Sequence, residues 1–164
     1  MKKKICLRAG MVVVMMLALV GLAVAVAAQD KPADNMQIMR DKIKADKKLV
    51  VAANMELTES EAKTFWPVYD QYQKDLGAIN ERIVKMIKSY ADAYNAKSMT
   101  DDGAKKLTAE FVAIEKAETA MKESYVPKLS KVLPAKKVAR YMQIENKIRA
   151  LVKYELAGQI PLVP

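Results

Sequence analysis

Four helices and no sheet are what this sequence predicts, on three observations. Glycine and proline are scarce after residue 32, while the helix formers Ala, Lys, Glu, Met and Leu dominate. Apolar residues recur at steps of three and four, the period of a helix face. No stretch sustains the apolar–polar alternation of a half-buried strand. The expected domain is all-α, with four helices and a long, kinked helical hairpin, over residues 35–157.

Residues 1–28 come first and read as a cleaved secretory signal peptide. Lys2, Lys3, Lys4 and Arg8 make a basic start, and Met11 to Val26 carry no charge. Ala25-Val26-Ala27-Ala28 supplies the small residues that a signal peptidase cuts after. An uncleaved anchor is the competing reading, but the apolar run falls short of the roughly 20 residues a spanning helix needs. A lipid-bearing cysteine would follow such a run, whereas Cys6 precedes it. Cleavage near Ala28 would leave a periplasmic chain with neither cysteine nor histidine, and removing four positive charges takes its net charge from +9 to +5.

Gln29 to Asp34 then read as a flexible linker. The first helix is expected over Asn35 to Ala53, with Met36, Met39, Ile43 and Val50 on one stripe. Thr58 followed three residues later by Glu61 has the spacing of a capping box and starts the second helix. Phe65, Tyr69, Tyr72, Leu76, Ile79, Ile83, Met86, Tyr90 and Ala93 follow at alternating steps of four and three, an uninterrupted heptad. Such a helix would run to about Asn95, roughly 55 Å, with a kink before Pro67. After a short connection Thr100 caps the third helix, and Asp101 and Asp102 meet its positive end. Its expected core residues are Leu107, Phe111, Ile114, Ala117, Met121, Tyr125, Leu129 and Val132, with a bend at Pro127. Leu133-Pro134 restarts the chain, proline being suited to the first helical position. The fourth helix should bury Val138, Tyr141, Ile148, Val152 and Leu156 and end at Gly158. Residues 158–164 form an apolar tail that either packs on the bundle or is displayed.

Composition narrows the chemistry. With no histidine anywhere and its one cysteine in the signal segment, the mature chain can build neither a Ser-His-Asp triad nor a thiol nucleophile. No glycine-rich phosphate loop occurs. Glu59 and Glu61 are paired carboxylates, but capping explains them better than acid–base work. Zinc sites want Cys or His. The thioethers of Met36-x-x-Met39 suit a core better than copper, and Asp101-Asp102 alone does not make a calcium loop. No enzyme activity, metal or cofactor is expected.

Charge is uneven. From Gln29 to Met121 there are 15 Lys and Arg against 16 Asp and Glu, and from Lys122 onward nine against three. A basic face points to anionic partners, or serves as a solvated face that keeps the protein in solution. Outside the cytoplasm nucleic acid is not expected to be the partner. Phe65, Tyr69 and Tyr72 continue the heptad and read as core. Trp66 stands one position off it and is a candidate contact residue.

From Leu57 onward the chain resembles the Spy/CpxP family of periplasmic stress proteins, whose signature is a repeated Leu-Thr-x-x-Gln at helix starts. Leu57-Thr58-Glu59-Ser60-Glu61 matches with Glu for Gln, Leu133-Pro134-Ala135-Lys136-Lys137 looks like a second, degenerate copy, and Met99-Thr100-Asp101-Asp102-Gly103 like a weaker helix start. Phe65-Trp66-Pro67-Val68-Tyr69 and Val126-Pro127-Lys128-Leu129 make it similar to a divergent proteobacterial branch of that family. The resemblance implies a helical, often dimeric, cradle-like protein. Some members hold unfolded clients without ATP and others restrain envelope stress sensors. Zinc binding through histidines, known in some relatives, does not carry over to a chain that has none.

The expected role is therefore ATP-independent, chaperone-like or stress-related binding of unfolded envelope proteins. Candidate client-binding residues are Trp66, Lys128, Lys131, Lys136, Lys137, Arg140, Lys147, Arg149 and Lys153. The alternatives are a regulatory protein that pairs with one defined partner, or with itself, through the heptad stripe, and a basic binder of membrane surfaces. Homodimerisation is expected to be compatible with so much apolar stripe. Contact with a membrane is otherwise expected only through the signal peptide.

Overall fold

A computed structural model describes residues 46–164. The expected signal peptide, the linker and the first helix up to residue 45 lie outside the described residues. Four helices are present and no strand occurs among the described residues: α1 (46–55), α2 (Glu59–Asn95), α3 (Asp101–Ser130) and α4 (Ala135–Gln159). The fold is all-α.

Local sequence explains the ends. Thr58 Oγ1 accepts the Glu61 N–H at 3.3 Å, and the Thr58 N–H donates to the Glu61 carboxylate at 2.8 Å, a complete capping box. Thr100 caps α3 by accepting the Gly103 N–H at 3.1 Å. Between them α2 closes in a Schellman motif. The Ser98 N–H reaches the Ala93 carbonyl at 3.0 Å and the Lys97 N–H reaches that of Tyr94 at 3.1 Å, while Lys97 takes φ 52°. Pro134 is the N-cap of α4, with ψ 148°, one residue ahead of the helical position expected for it. Gly158 lies inside α4 rather than ending it, and the last cap is Ile160 in extended geometry. Pro67 and Pro127 lie within α2 and α3, exposed, and neither interrupts its helix.

α2 and α3 form an antiparallel hairpin. α4 returns beside it, and α1 closes the end where α2 begins. The core at that end is aromatic: Phe65, Tyr69 and Tyr72 of α2, Tyr125 of α3 and Tyr141 of α4, with Val51, Met55, Leu76, Leu129, Leu133 and Val138. The rings meet edge to face. Tyr72 lies 5.0 Å from Tyr125 and 5.6 Å from Tyr141, and Phe65 lies 5.2 Å from Tyr141. Each such pair adds about 0.5–1.5 kcal/mol beyond its buried area. Every buried side-chain polar atom among the described residues has a partner. The Tyr125 hydroxyl donates to Asp75 at 2.5 Å, and that of Tyr141 accepts from Gln73 at 3.4 Å.

Several expected core positions differ. In α2 the buried stripe follows the heptad through Ile79 and then passes to Ile87, Tyr90 and Ala91, leaving Ile83, Met86 and Ala93 half-buried. A helix turns every 3.6 residues, so a strict seven-residue repeat drifts about 20° per heptad, and over 37 residues the stripe rotates off the repeat. In α1 the buried residues are Val51 and Met55, and Val50 sits half-buried beside them. In α3 Ile114, Tyr125 and Leu129 are buried as expected, whereas Phe111 is 54 % exposed, Leu107, Ala117, Met121 and Val132 are half-buried, and Glu118 takes a core position. In α4, Glu145 and Arg149 occupy core positions, while Ile148 and Leu156 are only half-buried. The apolar tail begins after Gln159, and the two alternatives for it divide by residue. The Pro161 carbonyl accepts the Tyr90 hydroxyl at 3.0 Å, and Leu162 is displayed.

Candidate functional site

The basic third of the chain divides in the structure into an internal part and an outward part. Arg149 is buried, contrary to its expected place on the client-binding surface. Its guanidinium donates twice to the buried Glu118 carboxylate, at 3.0 and 2.7 Å, and once to Asn80 Oδ1 at 2.7 Å, so it ties α2, α3 and α4 together. Lys122 adds a bond to Glu118 at 2.6 Å, and Lys153 bonds Glu115 at 2.9 Å. Burial alone would push the Glu118 carboxyl up, but the hydrogen bonds and charges of Arg149 and Lys122 together pull it down to about 2.

A second internal cluster joins the other side. Lys47 of α1 donates to Gln73 at 2.7 Å and to Glu145 at 2.8 Å, and Gln73 donates to Glu145 at 2.9 Å. Burial lowers the Lys47 ammonium below its ordinary value, and Glu145 opposes that shift. Lys137 is also spent internally. It bonds the Glu56 carbonyl at 2.8 Å and the Glu61 carboxylate, clamping the start of α4 to the start of α2. The two helix-start motifs therefore meet in space, Leu57-Thr58-Glu61 supplying the anion and Leu133-Pro134 leading into the cation. Arg140 pairs with exposed Glu56 at 3.2 Å.

The residues left facing outward are Lys128, Lys131, Lys136, Arg140 and Lys147. Lys128 sits over the Tyr125 ring at 4.0 Å. Lys136, Arg140 and Lys147 rise along one exposed face of α4, which continues at helical spacing into Leu151, 59 % exposed, and Tyr154, 77 % exposed. α4 itself puts no exposed carboxylate on that face, since Glu145 is buried and Glu155 half-buried, and the one acid that reaches it is Glu56, paired with Arg140. Cations at one end and apolar side chains at the other suit an extended acidic chain with exposed apolar residues. Lys153 lies partly outward but is engaged with Glu115.

Trp66 does not join this face. It packs on Phe65 and Tyr69, with centroids 5.0 and 5.2 Å away, beneath the Lys48 ammonium at 5.0 Å, and it is half-buried against the core. Its place is that of a core-edge residue on the α1 side.

Sequence reasoning missed the internal polar residues Lys47, Gln73, Asn80, Glu118 and Glu145. A signal was there for two of them. Glu118 lies four residues after Ile114, and Glu145 four after Tyr141, each filling a stripe position with a charge. A charge on a stripe needs a buried partner, and Arg149, four residues beyond Glu145, had the reach to be one.

No helix among the described residues is long and apolar enough to cross a membrane, and no cluster of three or more acidic, Cys or His side chains there could hold a metal ion. Comparisons with protein-family models, curated proteins and solved structures return no match.

Proposed function

We propose that this is an exported helical protein of the Spy/CpxP kind, which holds unfolded or aggregation-prone envelope proteins without ATP. The observation that carries this reading is the outer face of α4, where Lys136 and Lys147, with Arg140 paired to Glu56 between them, lead into exposed Leu151 and Tyr154. Long-range attraction speeds encounter with acidic chains. The apolar end then retains exposed hydrophobic segments weakly enough to release them. Lys128 and Lys131 extend the cationic end around the α3–α4 turn. Arg149 and Lys137 support the face from within and do not touch clients.

Pairing with one defined partner through the α2 heptad is less well supported, because Phe65, Tyr69, Tyr72, Leu76 and Ile79 are already buried within the chain. The deciding experiment follows light scattering of an acidic client refolding in the presence of the mature protein. Equimolar protein should suppress aggregation, and charge reversal at Lys136 and Lys147 should abolish the suppression. Aggregation unchanged by the wild-type protein would overturn the reading.

A further inference from the structure

The drift of the core stripe in α2 has a consequence on the opposite side of the hairpin. Where burial passes from Met86 to Ile87, Met86 turns toward an open groove between α2 and α3, away from the aromatic core. The groove measures about 550 Å³, within the range of small-molecule sites. Met86, Tyr90, Ala93, Met99 and Leu107 make an apolar lining. Arg82, Lys85 and Lys106 stand along it with one carboxylate, Glu110.

The lining changes along its length. Arg82 bonds Glu110 at 3.1 Å and marks the inner end. Lys85 and Lys106 stand next, on opposite walls, both exposed and neither in an ion pair among the described residues. Toward the hairpin turn the lining becomes Ala93 and Met99 with Ser98 and Thr100. Two ammonium groups beside the apolar side chains of Met86 and Leu107 are the complement of an anionic group joined to a hydrocarbon chain. The span from residue 82 to 93 is roughly 17 Å at a helical rise. A single alkyl chain is slender enough to lie along it. The two methionines suit such a ligand because their unbranched side chains adapt to a flexible chain.

We propose that this groove binds a single-chain anionic amphiphile, its head between Lys85 and Lys106 and its alkyl chain on Met86, Leu107 and Met99. The shared chemistry is one anionic head on one hydrocarbon tail, as in a fatty-acid carboxylate or a lysophospholipid phosphate. The site is separate from the α4 face, so it stands or falls independently of client holding.

The test uses the mature protein with methyl-labelled methionine and dodecanoate below its micelle concentration. Saturable shifts at the Met86 and Met99 methyls are expected, with Met121 and Met142 unmoved. The double variant Lys85→Glu/Lys106→Glu, at exposed sites that leave the helical content unchanged, should bind about tenfold or more weakly, at least 1.4 kcal/mol. A lysophosphatidylglycerol arm identifies the head: tighter binding than dodecanoate assigns a phosphate, weaker binding a carboxylate. Equal binding of dodecyl maltoside or dodecylamine, equal shifts with inorganic phosphate alone, or unchanged affinity in the variant would each overturn the proposal. Suppression of client aggregation should be the same in the variant as in the wild type.

Discussion

Replacing Arg149 with Met tests the polar layer that joins α2, α3 and α4. The substitution keeps an unbranched apolar stem and removes three hydrogen bonds, two to Glu118 and one to Asn80. Glu118 then keeps Lys122 at 2.6 Å but remains buried, at 3 % side-chain exposure. Its carboxyl is held at about 2 against an ordinary 4.5, and each unit is worth about 1.4 kcal/mol, so its partners outweigh burial by about 3 kcal/mol. Arg149 supplies much of that, and the lost bond to Asn80 adds about 1 kcal/mol. The expected loss is about 3 kcal/mol at pH 7, at the lower edge of what breaking a buried pair costs, or roughly 10 °C in Tm. Urea unfolding followed by circular dichroism reads it. The pH dependence gives a second reading. Because the folded-state value is depressed, the stabilisation is present above pH 4.5 and is lost as pH falls from there toward 2. The wild type should weaken steeply across that window and the variant much less. Joint replacement of Glu118 and Arg149 by Leu should recover most of the loss, since two apolar side chains leave no buried charge. A single-variant loss below about 1 kcal/mol, or an acid profile identical to that of the wild type, would refute the reasoning.

Other substitutions separate local from tertiary effects. Lys97→Gly should stabilise by about 1 kcal/mol, because Lys97 closes the Schellman turn at φ 52°, where an L side chain is strained; chemical denaturation checks it, and destabilisation would contradict the turn geometry. Thr58→Ala should cost about 1 kcal/mol by removing the cap of α2. Phe111→Ser should change stability by no more than about 0.5 kcal/mol, whereas Ile114→Ala should cost about 2–4 kcal/mol, since Phe111 is 54 % and Ile114 3 % exposed. Leu151→Ser with Tyr154→Ser should leave Tm unchanged and weaken suppression of client aggregation in the light-scattering assay.

Much of the helical framework was legible, because caps and breaks are written in neighbouring residues. The Thr58–Glu61 box, the Thr100 cap and the stop after Asn95 all depend on groups within five positions. The aromatic stripe from Phe65 to Ile79 was legible for the same reason, being short enough that seven-residue and 3.6-residue periods still agree. Beyond Ile79 they part, and a reading built on the heptad placed Met86 inside and missed Ile87. The candidate surface fared less well. Lys136, Lys147 and Arg149 look alike as a list of cations, yet two face outward and one lies in the interior.

Composition, caps and periodicity thus specify an all-α chain, the number and order of its helices, and the aromatic nature of its core, because each rests on chemistry within a few residues. The tertiary structure decided which charges are structural and which are free to act. Arg149 meets Glu118 across 31 positions, Lys47 meets Glu145 across 98, and Lys137 meets Glu61 across 76. Partners so far apart are chosen by how the helices lie against one another. A lysine becomes a fastener or a contact surface according to whether a buried carboxylate comes within reach of its ammonium when the bundle closes.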